Sequence, residues 1–257
     1  MYITHMSLFE KCLRHIFKIN LIRGIVAYIR FIYLFYLRKS FKTLYPISSS
    51  EHGMSKNSYE TALESNVYHI KKPVLNFFKY FRKFTGDRTN LLCHPLKTLG
   101  FIHYQKSKVL SVGPRLESEI FSLMSNGFNL KNIKAIDLQS YSSLIDLGDM
   151  LKMPYKDNTF DVLFAGWVIA YTDKVKEAID EFIRVSKNGS VICIGISHKP
   201  DIQLSKVPLK TSDEIISYFG ENLNEVYFKF HPNDPKFIKK ENQQTSLRSV
   251  VVLTIKK

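Results

Sequence analysis

The sequence predicts a doubly wound α/β sheet from Lys106 to the carboxyl terminus. Three observations carry that expectation. Short apolar runs, Val109 to Gly113, Ile133 to Asp137, Ile145 to Gly148 and Phe160 to Ala165, close on turn-forming or acidic residues. Their ends are evenly placed: Gly113 to Asp137 is 24 positions, Asp137 to Asp149 is 12, and Asp149 to Asp161 is 12. Helical periodicity fills the longer gaps. Short continuous apolar runs joined by crossovers fit parallel strands buried on both faces. In such sheets, ligands bind beyond the carboxyl ends of the strands.

Val109 to Gly113 is the first expected strand. Glu117 to Asn126 is the helix after it, with Ile120, Leu123 and Met124 toward the sheet and Gly127 as its stop. Ile133 to Asp137 and Ile145 to Gly148 are the second and third strands, and Phe160 to Ala165 the fourth. Asp173 to Ser186 reads as a helix, with Val175, Ala178, Ile179, Phe182 and Ile183 at three- and four-residue spacing. Lys187-Asn188-Gly189 closes it, and Ser190 to Ile196 is the fifth strand. Thr211 to Glu214 has the form of a capping box for a helix ending near Phe219. Val226 to Phe230 and Ser249 to Ile255 then read as an antiparallel pair.

Upstream, residues 1–45 form a basic, apolar helical unit and residues 46–105 a connector. Between positions 7 and 42 lie Lys11, Arg14, Lys18, Arg23, Arg30, Arg38, Lys39 and Lys42 against the single acid Glu10. Gly24 to Leu37 is almost wholly apolar and aromatic, interrupted by Arg30. Its fourteen residues rise about 21 Å as a helix, short of the roughly 30 Å hydrocarbon core. Three readings stay open: packing on the sheet domain or a second subunit, lying on an anionic membrane surface, or spanning. Residues 46–58 read as a loop. Tyr59 to Ile70 and Pro73 to Phe84 read as helices, the second with Val74, Phe77, Phe78, Phe81 and Phe84 on one face. Residues 85–105 show little periodicity and are expected to be a loose connector.

Length and a 45% hydrophobic share suit one globular α/β domain plus an extension. A net charge of +14 points to an anionic neighbour, lipid, nucleic acid or phosphorylated substrate, or to a basic solvated surface. Three scattered cysteines, Cys12, Cys93 and Cys193, argue against a disulfide framework or a zinc site. They fit a reducing, cytoplasmic setting, peripheral to a membrane if the first unit docks there. No cleavable signal peptide is evident in the first twenty residues.

Chemistry concentrates at the strand ends. Gly113 permits a sharp turn, and the helix after it offers free N–H groups. Asp137 stands where an acid accepts both ribose hydroxyls in dinucleotide sites. Tyr171, His198 and His231 near strand ends are candidate bases for a hydroxyl acceptor, Tyr171 and His198 being preferred, although a lone histidine is more often structural.

Three motifs carry a family resemblance. Met153-Pro-Tyr-Lys-Asp157-Asn-Thr-Phe160-Asp-Val162, Gly148-Asp149-Met150 and Glu181-Phe-Ile-Arg184-Val-Ser-Lys-Asn-Gly189-Ser190 together resemble class I S-adenosylmethionine-dependent methyltransferases, in particular the type 11 methyltransferase-domain group. The resemblance covers about residues 106–257. It implies a Rossmann-like seven-stranded mixed sheet ending in a β-hairpin, here with an N-terminal helical extension, and S-adenosyl-L-methionine as cofactor. By this resemblance, Gly113, Pro114, Arg115 and Glu117 hold the methionine part and Asp137 the ribose. Gly148, Asp149 and Met150 hold the adenine, and Ala165, Gly166 and Trp167 lie beside the reactive methyl. The family's first loop usually reads D-x-G-x-G-x-G. Here Ser111 stands for its acid, and Arg115 and Glu117 for its second and third glycines. Glu117 is then a candidate for the cofactor's ammonium and Arg115 for its carboxylate.

The expected activity is O- or N-methylation of a small-molecule, glycan or lipid-linked acceptor. There is no N-P-P-Y or D-P-P-Y segment for amide or adenine nitrogen, and no Pro-Cys for a cytosine-directed thiolate. Two rivals remain: a non-catalytic binding or scaffold protein of the same fold, and an RNA-directed enzyme using the basic arm. The arm's aromatics lack the interleaved stacking pattern of nucleic-acid binders, so a nucleic-acid partner is not expected.

Overall fold

A computed structural model of the chain describes residues 12, 15–44, 88–198, 211–231 and 247–257. The expected helices at 59–70 and 73–84 and the loop at 46–58 lie outside the described residues.

The first helix, α1 (Asn20–Phe31), runs into a π-helical turn at Ile32–Leu37, and a short strand β1 (Lys42–Thr43) follows. Next come α2 (Arg88–Leu96), β2 (Val109–Val112), α3 (Glu117–Ser125), β3 (Ile133–Asp137), β4 (Gln139–Ser140) and β5 (Asp146–Leu147). The chain continues through β6 (Phe160–Gly166), α4 (Val175–Val185), β7 (Ser186–His198), α5 (Ser212–Ser217), β8 (Leu223–Phe230) and β9 (Leu247–Ile255). Seven strands form one mixed sheet in the order β5-β3-β2-β6-β7-β9-β8. The first five in that order run parallel, and β9 reverses between β7 and β8. The expected doubly wound sheet with a closing hairpin is therefore the observed one.

Alternation along the buried strands makes two cores. Val109, Ala135, Val162, Phe164, Val191, Cys193, Val250 and Val252 face α1, α2 and α3. Leu110, Ile136, Leu163, Ala165, Ile192, Ile194 and Leu253 face α4 and α5. Successive strand side chains point to opposite faces, so one apolar run serves both layers. The capping box at α5 forms as expected: Glu214 N donates to Thr211 Oγ1 at 3.2 Å, and Thr211 N to Glu214 Oε2 at 3.4 Å.

The structure corrects two expectations. The 85–105 segment contains α2, whose Leu92, Cys93 and Leu96 are buried. The fifth strand begins at Ser186, because Gly189 at φ +73° lets a bulged strand pass through the supposed turn.

Only eight residues, 138–145, join β3 to β5, and they contain no helix. A parallel crossover normally needs a dozen or more residues. The amino-terminal unit fills the gap on that face. Lys42 and Thr43 pair antiparallel with Ser140 and Gln139, and Leu44 N donates to Leu138 O at 2.9 Å. Phe31 packs edge-on to Tyr141, ring centroids 5.0 Å apart. Arg23, 2% exposed, donates to Phe17 O, Ser125 Oγ and Asn20 Oδ1 at 2.9–3.1 Å. Of the three readings for this unit, packing on the sheet domain is the arrangement the described residues adopt.

Candidate functional site

The strand order reverses between β2 and β6, so their carboxyl ends open the crevice where such sheets bind ligands. Gly113 leaves β2 at φ +68°, and its N–H donates to Ile136 O at 2.8 Å. Across from it, Trp167 follows β6 in the left-handed region at φ +60°, a costly conformation for a large side chain. Its N–H is fixed to Gly195 O at 2.8 Å. The indole packs on β7 so closely that a Cβ on Gly195 would lie 3.1 Å from the ring. Next in the chain, Val168 sits over Gly113, where an added Cβ would lie 2.6 Å from Val168 Cγ2. Ala165 is buried, and Gly166 is half-buried with Leu92 beside it.

The loop after β2 is stiff. Pro114 and Leu116 are buried and Arg115 half-buried. Glu117, the first residue of α3, is 0% exposed. Arg30 donates to it twice, Nε to Oε2 at 2.7 Å and Nη2 to Oε1 at 2.9 Å. Ser142 Oγ also donates to Oε1, and Glu117 N donates to the Tyr141 hydroxyl at 3.0 Å. Hydrogen bonding to Glu117 raises the Arg30 pKa. Burial, with the Glu117 charge nearby, raises the Tyr141 hydroxyl far above its usual value. Sequence reasoning placed Glu117 and Arg30 but not their pairing, which joins residues 87 positions apart.

Two carboxylates occupy adjacent strand ends. Asp137 closes β3, is half-buried, and accepts from Gln139 N at 3.2 Å. Burial pushes its carboxyl up to about 6, while that N–H and the Arg115 charge pull it back. Asp137 is in register with Leu147, so Gly148-Asp149-Met150 lies just past the end of β5. Asp149 Oδ1 accepts from Leu151 N at 2.9 Å, and Met150 is buried. Gly148 is closely packed: a Cβ there would lie 2.5 Å from Ile136 Cδ1.

The candidate bases separate by strand. Tyr171 ends the helical turn Ile169–Tyr171 after β6, and His198 is the last residue of β7. His231 follows β8 and shares a 2.7 Å hydrogen bond between Nδ1 and Ser249 Oγ. From β2 to β8 is four strand spacings, about 19 Å at roughly 4.8 Å each, which puts His231 out of reach of the Gly113 loop.

The other motif residues are structural. Arg184 donates to Glu181 Oε1 and Oε2 at 2.7 Å each, to Tyr155 O at 2.9 Å and to Met153 O at 3.1 Å. It also donates to Asp157 Oδ1 at 2.5 Å, and Met153 N donates to Glu181 Oε1 at 2.6 Å. One guanidinium thus staples the 153–157 loop to α4. These bonds to Glu181 and Asp157 raise the Arg184 pKa. A cavity of about 170 Å³ lined by His103, Asp161, Lys187 and Ser190 lies at the opposite, amino-terminal ends of the strands. It is smaller than the roughly 300 Å³ at which ligand pockets begin.

The family model for a methyltransferase domain matches residues 123–194. Residues 123–194 thus resemble a methyltransferase domain. The match runs from α3 into β7 and so contains Asp137, Asp149, Trp167 and the Arg184 staple. Among solved structures, the CurJ carbon methyltransferase is 13% identical at a TM-score of 0.49, over 66% of this chain and 54% of that one. The chain thus spans about half the length of that protein. The N-methyltransferase NodS from Bradyrhizobium japonicum, in complex with S-adenosyl-L-homocysteine, is 14% identical at 0.48, over 68% and 88%. The cyclase SpnF is 10% identical at 0.47, over 65% and 81%.

For the cofactor that this resemblance implies, the donor set divides. Asp137, Asp149 and Met150 fit a nucleoside: two acceptors for hydroxyl and amine hydrogens and a polarizable surface for a ring. Around Gly113 the close approach is taken by Val168, and both oxygens of Glu117 are held from within the protein. Of the two charged groups in that loop, Arg115 is the one suited to a carboxylate.

Proposed function

We propose that this chain transfers a methyl group from S-adenosyl-L-methionine to an oxygen or nitrogen of a small-molecule, glycan or lipid-linked acceptor. The observation that carries the reading is the pair of carboxylates at the tips of adjacent parallel strands, Asp137 after β3 and Asp149 after β5, inside the matched domain. Asp137 accepts the ribose hydroxyls, Asp149 the adenine amine, Met150 lies against the ring, and Arg115 takes the carboxylate. The cofactor supplies an electrophilic methyl on a sulfonium. The chain has to hold an acceptor in line with it and keep water out, and positioning alone supplies much of the acceleration. The buried indole of Trp167 walls that space. A hydroxyl acceptor loses its proton to Tyr171, in the turn after β6, or to His198, at the end of β7, whereas an amine loses it to solvent.

One observation favours a second reading, a non-catalytic protein of the same fold. Arg30, Ser142 and Val168 occupy the loop that would cradle the cofactor's amino-acid end. Isothermal titration with S-adenosyl-L-homocysteine separates the two. Binding weakened about tenfold or more by Asp137→Ala or Asp149→Ala, with methyl transfer from labelled cofactor to an acceptor extract, supports the enzyme. No heat at millimolar ligand supports the scaffold.

A further inference from the structure

The face of α1 opposite the sheet carries an apolar ridge. Leu21, Ile25, Ile29, Tyr33 and Leu37 follow one another at four-residue steps, and each is 39–72% exposed. Ile16 and Ile19, 43% and 53% exposed, extend the ridge at its start. Residues four apart form one row on an α-helix surface, so Leu21, Ile25 and Ile29 make a continuous strip on α1, and the exposed Tyr33 and Leu37 prolong it along the π-helical turn. Cations stand at both ends: Lys18 at one, Arg38, Lys39 and Lys42 at the other, all exposed. The Arg38 guanidinium lies 5.4 Å from the Tyr33 ring centroid. Glu10 is the last acid before Glu51, so no carboxylate offsets that charge within the segment.

We infer that this ridge docks the protein on an anionic lipid surface, with α1 lying in the interface plane. Apolar side chains enter the acyl boundary while the flanking cations meet lipid phosphates. The segment Asn20–Leu37 is eighteen residues of mean hydropathy 1.3, long and apolar enough by composition to cross a membrane. It does not cross one here, because its opposite face is bound to the sheet domain through Arg23, Arg30 and Phe31. A second copy is a poor occupant. A twofold axis would bring the like-charged ends of two ridges together with no acid between them. Nucleic acid is a poor occupant too, since Tyr33 is the ridge's one aromatic ring.

The test is sedimentation of the full chain with phosphatidylcholine vesicles, with and without phosphatidylglycerol. Binding is expected to the phosphatidylglycerol-containing vesicles and to fall with salt. Lys39→Glu with Lys42→Glu weakens it about tenfold or more. Ile25→Glu with Ile29→Glu abolishes it, with Tm and Trp167 fluorescence unchanged because both positions are exposed. Wild-type protein that fails to sediment overturns the inference, as does a ridge variant that binds like wild type. A lower Tm in that variant assigns the ridge to another part of the chain, and a dimer it dissolves in light scattering assigns it to a second copy. Either of those results also overturns it.

Discussion

Arg30 and Glu117 lie 87 positions apart in sequence and meet through two parallel hydrogen bonds of 2.7 and 2.9 Å. The guanidinium is partly solvated, but the carboxylate is wholly buried. Removing one partner strands a buried charge, whereas replacing both with apolar groups does not. Arg30→Ala should lower stability by about 3 kcal/mol. The double variant Arg30→Met with Glu117→Leu should cost less. Urea unfolding followed by the fluorescence of Trp167 measures both, and a double variant less stable than the single one contradicts the account.

Asp137 makes two quantities depend on pH. Its folded-state pKa is raised to about 6, against about 3.9 in an unfolded chain. Between those values the native state holds a proton that the unfolded state has lost. The stability this group contributes therefore falls as pH rises from about 4 to about 6 and is level above. Asp137→Asn should remove that slope from the unfolding free energy. Ribose hydroxyls donate to the ionised form, so affinity for S-adenosyl-L-homocysteine should rise between pH 5 and 7 and then level off. Calorimetry across that range shows whether it does.

Gly113 has two reasons to be glycine: its φ of +68° and the Val168 methyl lying 2.6 Å from where a Cβ would sit. Gly113→Ala should cost about 1–3 kcal/mol. Adding Val168→Ala should recover part of that loss, since it relieves the contact but not the dihedral angle. Full recovery would mean that backbone strain is absent; thermal denaturation of the three proteins decides.

The thiols should differ in reactivity. Cys12 is exposed, while Cys93 and Cys193 are buried, and burial pushes the Cys193 thiol up. A thiolate is the reacting species, so the native protein should titrate one cysteine rapidly and the unfolded protein three. Rapid modification of Cys193 in the native protein would show that the core opens.

The sheet was legible because its signal is local. The runs at Val109, Ile133 and Phe160 are short, apolar and bounded by turn residues, and Val226 to Phe230 and Ser249 to Ile255 are rich in β-branched and aromatic residues. The α2 helix was missed although Leu92, Cys93 and Leu96 follow a helical pattern, because Pro95 inside so short a stretch reads as a stop. The start of β7 was missed because Lys187-Asn188-Gly189 has the composition of a turn and only its partner strands hold it extended. At the site, Asp137 and Asp149 could be named from strand ends and motif. The bonds to Glu117 could not, since they join distant segments and no local pattern encodes them. Arg184 was visible as part of a motif, but its work as a staple needed coordinates.

The pairing of Lys42 with Ser140 sets a timetable for synthesis. A ribosome adding about 5–20 residues per second makes the 97 intervening residues in about 5–20 s. During that interval the α1 segment exists without the surface it will shelter against. Any chaperone, targeting factor or bilayer that recognises greasy helices meets it then, before the rest of the polypeptide can compete.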